Sequence, residues 1–268
     1  MSEVISFVNA IKSGKNFSNK IKISLILGLR AFQKLFPISI AKIFDYPGKL
    51  MIIETDVPFR IGTLGDFIVF SSLWEPQVRN VFRFHKDMIF LDVGAHIGKY
   101  TIRAASKIGK NGKIISIEPN EDNFRILIQN LKLNQIKNCI PLNVAAYSND
   151  TELELFVGSD SAKHSIVEKL DRGSKKVKAR ALDNVLSELN IKKVDFIKID
   201  VEGAEYDVIK GLEKTLTNQN PKLFIEILKK DQEKVLNYLK QKGYHEHVLY
   251  QLVTFKEGLM YYFLDKKQ

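Results

Sequence analysis

Acidic residues follow an apolar, strand-like run in the segment DFIKIDVEGAE, residues 195–205. An acid at the end of a buried strand costs free energy unless water, a ligand or a charged partner meets it. Asp200 is therefore a candidate base, because an alcohol becomes a good nucleophile only when its proton is removed. Glu202 is a second candidate, although it and Glu205 also fit the first turn of a helix. Lys198 falls on the same strand face as Asp200 and is expected to pair with it.

A glycine-containing loop between a strand and a helix is predicted in FLDVGAHIGKYT, residues 90–101. Gly94 and Gly98 let the backbone turn tightly and leave room for a ligand. The dinucleotide fingerprint G-x-G-x-x-G would need glycine where the chain has His96 and Lys99, which disfavours a pyrophosphate ligand. The phosphate-binding motif G-x-x-x-x-G-K-[ST] does not occur in the sequence.

Two acids near these strand ends indicate the kind of ligand. Glu118, in SIEPN (residues 116–120), follows the second strand, where a carboxylate can accept hydrogen bonds from both ribose hydroxyls of a nucleoside. It also fits a helix N-terminus. Asp92 lies within the first motif, near the expected charged end of the ligand, although a strand-end acid also binds nearby backbone amides. A cationic ligand would suit Asp92, and a nucleoside would suit Glu118. An adenosine joined to a sulfonium amino acid has both the ribose and the positive charge.

The elements that must position these residues alternate from residue 88 onward. The strand-like runs are MIFLDVG, GKIISIE, CIPLNVA, VDFIKID and KLFIEIL, and helical patterns separate most of them. This alternation predicts a mostly parallel α/β sheet with helices on both faces and ligands at the carboxyl ends of its strands. HEHVLYQLV and LMYYFL predict a closing antiparallel hairpin at the sheet edge. TELELFV (151–157) is predicted as an exposed strand, and residues 159–180 as a loop or hairpin.

The chain divides into an N-terminal extension, residues 1–86, and a ligand-binding domain, residues 87–268. Residues 1–44 have helical patterns, and short strand-like runs follow, so we expect the extension to cap the site or to shape an acceptor pocket. Residues 21–44 mix apolar and basic side chains, which fits either peripheral contact with a membrane or packing on the protein itself. Neither a secretory signal nor an apolar run of about 20 residues is visible, so we expect a soluble, cytoplasmic protein.

The composition excludes several classes of protein. With 45% hydrophobic and 27% charged residues, the chain of 268 residues is typical of a globular protein and not of a disordered one. Its single cysteine, Cys139, excludes an internal disulfide and is expected to be a small buried residue at a strand start. The net charge is +10, and residues 1–86 carry 12 Lys and Arg against 6 Asp and Glu. Such a bias attracts RNA, anionic lipid or phosphorylated substrates, or serves solubility.

Six motifs in order resemble those of the FkbM-type methyltransferases, a branch of the class I S-adenosylmethionine-dependent enzymes. They are FLDVGAHIGKYT, IEPN, NVAAYS, LDNVL, FIKIDVEGAE and LFIEI, within residues 66–228. The resemblance implies a Rossmann-like fold with a seven-stranded sheet, S-adenosylmethionine as the cofactor and, often, methylation of an oxygen atom. It leaves the acceptor open among small molecules, sugars and lipid-linked glycans.

The resemblance also implies site residues. The cofactor-binding residues are Asp92, Gly94, Ala95, His96, Gly98, Thr101, Glu118, Pro119, Asn120 and Ala145, with Trp74 and Glu75 in the upstream motif WEP. The catalytic residues are Asp200 and Glu202, since that sheet edge faces the methyl group in class I enzymes. The family usually has asparagine where this chain has His96, and tyrosine where it has Trp74. Thr101 also fits simple burial in helix packing, and Trp74 an apolar anchor between subdomains.

Three alternatives accompany this hypothesis. Asp200 with Glu202 or Glu226 would offer oxygen ligands to magnesium, but without a clear third ligand we predict no metal site. An RNA methyltransferase is favoured by the basic charge and by DRGSKKVKAR (171–180), and disfavoured because Asn-Pro-Pro and Asp-Pro-Pro motifs are absent from the sequence. A nucleoside-binding scaffold without catalysis is the third alternative, and the retained cofactor motifs count against it.

Overall fold

The computed structural model describes residues 49–52, 57–60, 82–158, 164–170, 173–252 and 259–266. The strands are β1 (Lys49–Ile52), β2 (Val57–Arg60), β3 (Ile89–Val93), β4 (Lys113–Ile117), β5 (Cys139–Leu142), β6 (Ala145–Tyr147), β7 (Thr151–Val157), β8 (His164–Ser165), β9 (Ser174–Ala181), β10 (Phe196–Ile199), β11 (Lys222–Leu228), β12 (His245–Leu252) and β13 (Leu259–Asp265). The helices are α1 (Lys99–Ile108), α2 (Glu121–Leu133), α3 (Leu182–Glu188), α4 (Glu205–Gly211), α5 (Glu213–Asn218) and α6 (Gln232–Gln241), and a 3-10 turn covers Lys229–Asp231.

The main sheet has seven strands in the order β12-β13-β11-β10-β3-β4-β5. Strands β11, β10, β3, β4 and β5 run parallel. Strand β13 pairs antiparallel with both β11 and β12. The predicted mostly parallel sheet and its closing hairpin are confirmed. Because β10, β3 and β4 are neighbours, the loops that follow them meet at one edge of the sheet, where ligands bind in folds of this kind.

The two faces of this sheet bury different side chains. Leu91 and Ile197 lie on an aliphatic face that α3, α4, α5 and α6 cover. Phe90 and Phe196 lie on the opposite face, in an aromatic cluster with side chains of α1. Helices therefore cover both faces, as predicted. Side chains alternate along a strand, so Lys198, two positions after Phe196, belongs to the aromatic face.

A smaller sheet has the strand order β6-β9-β7-β8 and lies between β5 and β10 in the sequence. Strand β7 pairs antiparallel with both β8 and β9. The predicted strand at 151–157 is confirmed. In the described part of 159–180, which was predicted as a loop or hairpin, β8 and β9 each pair with β7 and not with each other. In the register of β7 with β9, Glu154 lies opposite Lys176 and Glu152 lies opposite Lys178.

Within residues 1–86, the structure describes the β1–β2 hairpin and residues 82–86. The backbone of β2 lies beside α2. The helices predicted in 1–44, including the stretch 21–44, lie outside the described residues, and so do Trp74 and Glu75. In the described part of the chain, no helix has the length and apolar character that crossing a bilayer requires.

Candidate active site

The loop after β3 is fixed against the ends of two neighbouring strands. The backbone N–H of Gly94 donates to the carbonyl of Ile117 at the end of β4, over 3.0 Å. Gly94 and His96 have positive φ angles of 77° and 52°. A Cβ atom at Gly94 would lie 1.8 Å from the carbonyl oxygen of Asp200, at the end of β10. Glycine is therefore required at position 94 for contact within the protein.

The second glycine of the loop serves the start of α1. Gly98 has a φ angle of 100° and directly precedes the helix. A Cβ atom there would lie 2.8 Å from Cδ1 of Leu127 in α2, so glycine permits the two helices to approach each other. Ala95, between the glycines, is buried with 4% exposure. The loop is thus tightly packed on its inner side.

Glu118 follows β4 and turns its carboxylate towards this loop. Its Oε2 accepts a hydrogen bond from the backbone N–H of His96 at 2.8 Å, and its Oε1 accepts one from Asn120 at 3.0 Å. The side chain is 5% exposed. Burial raises the pKa of Glu118 to about 7, although the amides of Asn120 and His96 and the charge of Lys198 lower it. The two backbone amides hold the carboxylate in one orientation. With a pKa of about 7, the carboxylate is partly protonated at neutral pH.

Asp92 lies beneath the loop with no exposed surface. Thr101, equally buried, donates from its hydroxyl to Oδ2 of Asp92 at 2.6 Å, and the same hydroxyl lies 2.7 Å from Oγ of Ser116. Burial raises the pKa of Asp92, against the opposing effects of Lys198 and Thr101. Asp92 and Thr101 thus contact each other within the protein. Their assignment to the cofactor stays a prediction, and their burial counts against it.

Lys198 and Asp200 form the predicted ion pair. Nζ of Lys198 lies 3.1 Å from Oδ2 of Asp200 and 3.7 Å from Oδ1 of Asp92. Burial alone would lower the pKa of Lys198, but the carboxylates of Asp200 and Asp92 raise it above its ordinary value, so the ammonium is charged. The Asp200 side chain is 33% exposed. Of the two carboxylates on this lysine, the one at the sheet edge is the one that solvent reaches.

The turn after Asp200 has a strained backbone. Glu202 and Gly203 have positive φ angles of 53° and 104°. Glu205, at the start of α4, is 2% exposed and accepts a hydrogen bond from the Gly203 N–H at 2.9 Å through Oε1. Glu205 lies in the first turn of α4, as predicted, whereas Glu202 lies before the helix begins. Burial raises the pKa of Glu205 to about 7, despite the hydrogen bond from Gly203.

Ser165 ties the small sheet to this turn. Its hydroxyl donates to the carbonyl of Glu202 at 2.9 Å and accepts from the N–H groups of Val167 and Glu168, both at 3.1 Å. Glu168 forms an ion pair with Lys230, which follows β11. The sequence reasoning missed Ser165, since nothing in the local pattern marks a serine that bonds a carbonyl 37 positions away.

The remaining predicted residues differ in what they contact. Asn120 caps α2, because its side chain accepts from the N–H groups of Asp122 and Asn123. Ala145 begins β6 and is 2% exposed. Asn143, which the sequence reasoning missed, donates from Nδ2 to the carbonyl of Glu118 at 2.8 Å and to that of Pro119 at 3.1 Å. It links the segment after β5 to the one after β4.

Metal and thiol chemistry find little support here. Among the described residues, no group of three or more His, Cys, Asp or Glu side chains is arranged to hold a metal ion. Partial burial raises the pKa of the Cys139 thiol to about 12, and its Sγ lies 3.4 Å from Oγ of Ser116. A thiol that is protonated at neutral pH is a poor nucleophile, which agrees with the expected structural role of Cys139.

The groups at this edge fit S-adenosylmethionine. The Glu118 carboxylate accepts two backbone amides and a hydrogen bond from the side chain of Asn123. A carboxylate has about four lone-pair directions, so acceptor capacity remains for the ribose. The loop of Gly94 and His96 lies between Glu118, which accepts the His96 N–H, and the carbonyl of Asp200, against which Gly94 packs. The carboxylates on both sides of the loop suit a ligand with a positive charge.

Comparison with known proteins gives a consistent picture. Residues 92–246 match the profile of the Methyltransferase FkbM domain. The chain is 26% identical to the hexuronic acid methyltransferase AglP of Haloferax volcanii over 182 residues. This alignment covers 68% of this chain and 71% of the relative. The chain is also 24% identical to Methyltransferase 1 of Beauveria bassiana over 168 residues. That alignment covers 54% of this chain and 66% of the relative.

A solved structure shares the fold. The crystal structure of a methyltransferase FkbM from Methylobacillus flagellatus superposes on the chain with a TM-score of 0.53 at 15% sequence identity. The superposition covers 97% of this chain and 59% of that one.

Proposed function

This chain belongs to the FkbM family of S-adenosylmethionine-dependent methyltransferases, and we propose that it methylates a hydroxyl group of a sugar or a sugar-containing small molecule. The name of the Haloferax volcanii relative, a hexuronic acid methyltransferase, supports a sugar as the acceptor. A lipid-linked glycan would present the same hydroxyl chemistry.

The observation that carries the proposal is the setting of Asp200. Its carboxylate stands at the carboxyl end of β10, is 33% exposed and is ion-paired through Oδ2 to Lys198. Its backbone carbonyl lies against Gly94 of the cofactor loop. A carboxylate that is accessible, charge-paired and next to the cofactor loop is suited to accept a proton from a bound alcohol.

The proposed reaction is a single in-line displacement. When bound, S-adenosylmethionine supplies an electrophilic methyl group. Glu118 binds the ribose hydroxyls, and the loop of Gly94 and His96 orients the ligand. Asp200 takes the proton of the acceptor hydroxyl as the oxygen forms its bond to the methyl carbon and the carbon–sulfur bond breaks. Glu202, on the strained turn beside Asp200, contacts the acceptor in this proposal.

The basic run 171–180 supports RNA as the acceptor less than its composition suggests. Lys176 and Lys178 lie opposite Glu154 and Glu152 on the small sheet, so acidic neighbours balance part of their charge. An RNA-binding surface needs basic side chains that are available to phosphates.

A labelling experiment tests the acceptor class. The purified protein is incubated with tritiated S-adenosylmethionine and a cell extract that is then divided into RNA, lipid, protein and small-molecule fractions. We expect label in the small-molecule or lipid fraction, and its release as methyl ethers of sugars after hydrolysis. Label in RNA, resistant to protease and sensitive to ribonuclease, would overturn the sugar proposal. Boiled protein is the control for non-enzymatic transfer.

A further inference from the structure

Lys198 is the charged residue of this site to which the proposed reaction gives no direct task. It is the third residue of β10, between Ile197 and Ile199, and it is 2% exposed. Lysine is almost never buried to this degree unless it is paired, because an ammonium is costly to remove from water. Central strands of parallel sheets normally consist of apolar residues. The position therefore calls for an explanation in terms of what the ammonium contacts.

The ammonium of Lys198 contacts both parts of the site. Nζ lies 2.7 Å from the carbonyl oxygen of Gly94, in the cofactor loop, and 3.1 Å from Oδ2 of Asp200. The carbonyl oxygen of Val93, at the end of β3, lies 3.4 Å away, and Oδ1 of Asp92 lies 3.7 Å away as an ion-pair partner. The three donors of the ammonium thus face two carbonyls next to each other and the Asp200 carboxylate. One buried group thus bridges the cofactor loop and the proposed base.

The backbone joins the same two segments. The N–H of Asp200 donates to the carbonyl of Val93 over 3.2 Å, and Gly94 is in close contact with the carbonyl of Asp200. The ring of Tyr100 in α1 lies 5.6 Å from Nζ of Lys198 and closes the site of the ammonium from the helix side. The loop and the turn therefore have little freedom to move independently around Lys198.

We propose that Lys198 is a positioning residue that couples the cofactor loop to the Asp200 carboxylate. This inference rests on the proposed function. Lys198 holds the Gly94 carbonyl, which fixes the loop that binds the cofactor. It also holds Oδ2 of Asp200, so that Oδ1 is the oxygen that receives the acceptor's proton. The orientation of the base and the shape of the cofactor loop are thereby set by one ammonium.

Binding of S-adenosylhomocysteine, the reaction product, tests the coupling without turnover. Calorimetry is performed on the wild type, Lys198→Met, Asp92→Asn and the double variant Lys198→Met/Asp92→Asn. We expect Lys198→Met to weaken binding about tenfold, although Lys198 does not touch the ligand. The double variant removes the buried carboxylate that would otherwise lose its counter-charge, so it should fold, and it should bind about tenfold more weakly than Asp92→Asn alone.

The matched control is Lys222→Met. Lys222 is the first residue of the neighbouring strand β11, at the opposite end of the sheet, and it is exposed. The Lys222→Met variant should bind S-adenosylhomocysteine with the same affinity as the wild type. Thermal unfolding of every variant separates a loss of affinity from a loss of structure.

Chemical rescue distinguishes the charge from the volume of the side chain. In Lys198→Ala, n-propylammonium supplies the atoms that alanine lacks, and 1-propanol has the same size without the charge. We expect n-propylammonium, and not 1-propanol, to restore part of the affinity for S-adenosylhomocysteine. Equal restoration by both would reduce Lys198 to a space-filling role and overturn the inference.

Two further outcomes are decisive. If the folded double variant binds S-adenosylhomocysteine as tightly as Asp92→Asn, the coupling is wrong while the proposed function stands. If the wild type itself does not bind S-adenosylhomocysteine, the proposed function fails and the coupling fails with it. Should Lys198→Met alone not fold, the double variant and the rescue experiment still decide the matter.

Discussion

Glu118 and Asp200 end the two strands that flank β3, yet their carboxylates are held in different ways. Glu118 is 5% exposed and both its oxygens accept main-chain amides. The Asp200 side chain is 33% exposed and is held through one oxygen by the ammonium of Lys198. Backbone amides fix a carboxylate in one orientation, whereas a side-chain partner at one oxygen leaves the other oxygen accessible. Rigid burial suits binding, and an accessible oxygen suits proton transfer.

The first and largest expected effect separates the two acids by rate. Asp200→Asn should lower methyl transfer by about 100-fold or more, because an amide cannot take the proton of an alcohol. Its affinity for S-adenosylhomocysteine should stay within about twofold of the wild type, since Asp200 does not bind the ribose. Transfer of tritium to the acceptor fraction and calorimetry measure the two quantities. Asp122→Asn, an exposed surface acid, is the control. Full activity in Asp200→Asn would refute its role as the base.

The reverse pattern is expected for Glu118. Glu118→Gln preserves the shape of the side chain but removes the charge that would accept the ribose hydroxyls. Affinity for S-adenosylhomocysteine should fall about tenfold, which is the usual effect of losing hydrogen bonds to a charged group. Glu121→Gln is a matched control three positions later, on the exposed surface of α2. Unchanged affinity in Glu118→Gln would remove the distinction between the two acids.

The pKa of Glu118 predicts how binding depends on pH. In the proposed function the ionised carboxylate accepts the ribose hydroxyls, and burial raises its pKa to about 7. Binding therefore strengthens as pH rises through this value. Between about pH 8 and about pH 6, the affinity of the wild type for S-adenosylhomocysteine should fall by up to about tenfold. Calorimetry should show this slope in Asp200→Asn and lose it in Glu118→Gln. A slope that persists in Glu118→Gln would assign the titration to another group.

The smallest effect concerns Glu205, whose pKa is also raised to about 7 from 4.5, first of all by burial. An acid with a raised pKa in the folded state binds its proton more tightly when folded, so stability falls as pH rises from the unfolded towards the folded value. Glu205→Gln should therefore raise the free energy of unfolding near pH 8 by about 3 kcal/mol, and the gain should largely vanish near pH 4.5.

Denaturant unfolding at the two pH values measures this gain. Affinity for S-adenosylhomocysteine should not change in Glu205→Gln, because Glu205 faces its own turn through Gly203. A loss of affinity in Glu205→Gln would show that Glu205 also supports cofactor binding, and would contradict its assignment to the turn alone. The same two measurements on Glu202→Gln compare Glu205 with another acid of the same turn.

Much of this arrangement was predictable because it depends on local patterns. The alternation of strands and helices gave the sheet, and the two-residue spacing of Lys198 and Asp200 gave their ion pair. Contacts between distant segments were not predictable. The strand β9 contains the run KKVKAR, which has the composition of a solvated loop, yet its backbone pairs with β7, and two of its lysines lie opposite glutamates of that strand. The hydrogen bond from Asn143 to the carbonyl of Glu118 likewise joins residues 25 positions apart, so no local pattern predicts it.

The complete burial of Asp92 is the other feature that the sequence pattern did not predict. Asp92 and Glu118 both follow apolar runs and both were predicted to contact the ligand, but Asp92 lies two register positions earlier, opposite Ser116 and inside its strand. Its side chain therefore points into the layer between the sheet and α1, where Thr101 binds it. A register difference of two residues separates the acid beneath the loop from the acid beside it.

The hydroxyl of Ser165 has a practical meaning for protein engineering. Because this one group joins the small sheet to the Glu202 carbonyl and organises the amides of Val167 and Glu168, it is the junction between the small sheet and the turn after Asp200. Chimaeras that transplant the segment 164–170 from a relative should retain a hydroxyl at position 165. With that junction intact, the small sheet can be exchanged without rebuilding the turn that presents Asp200.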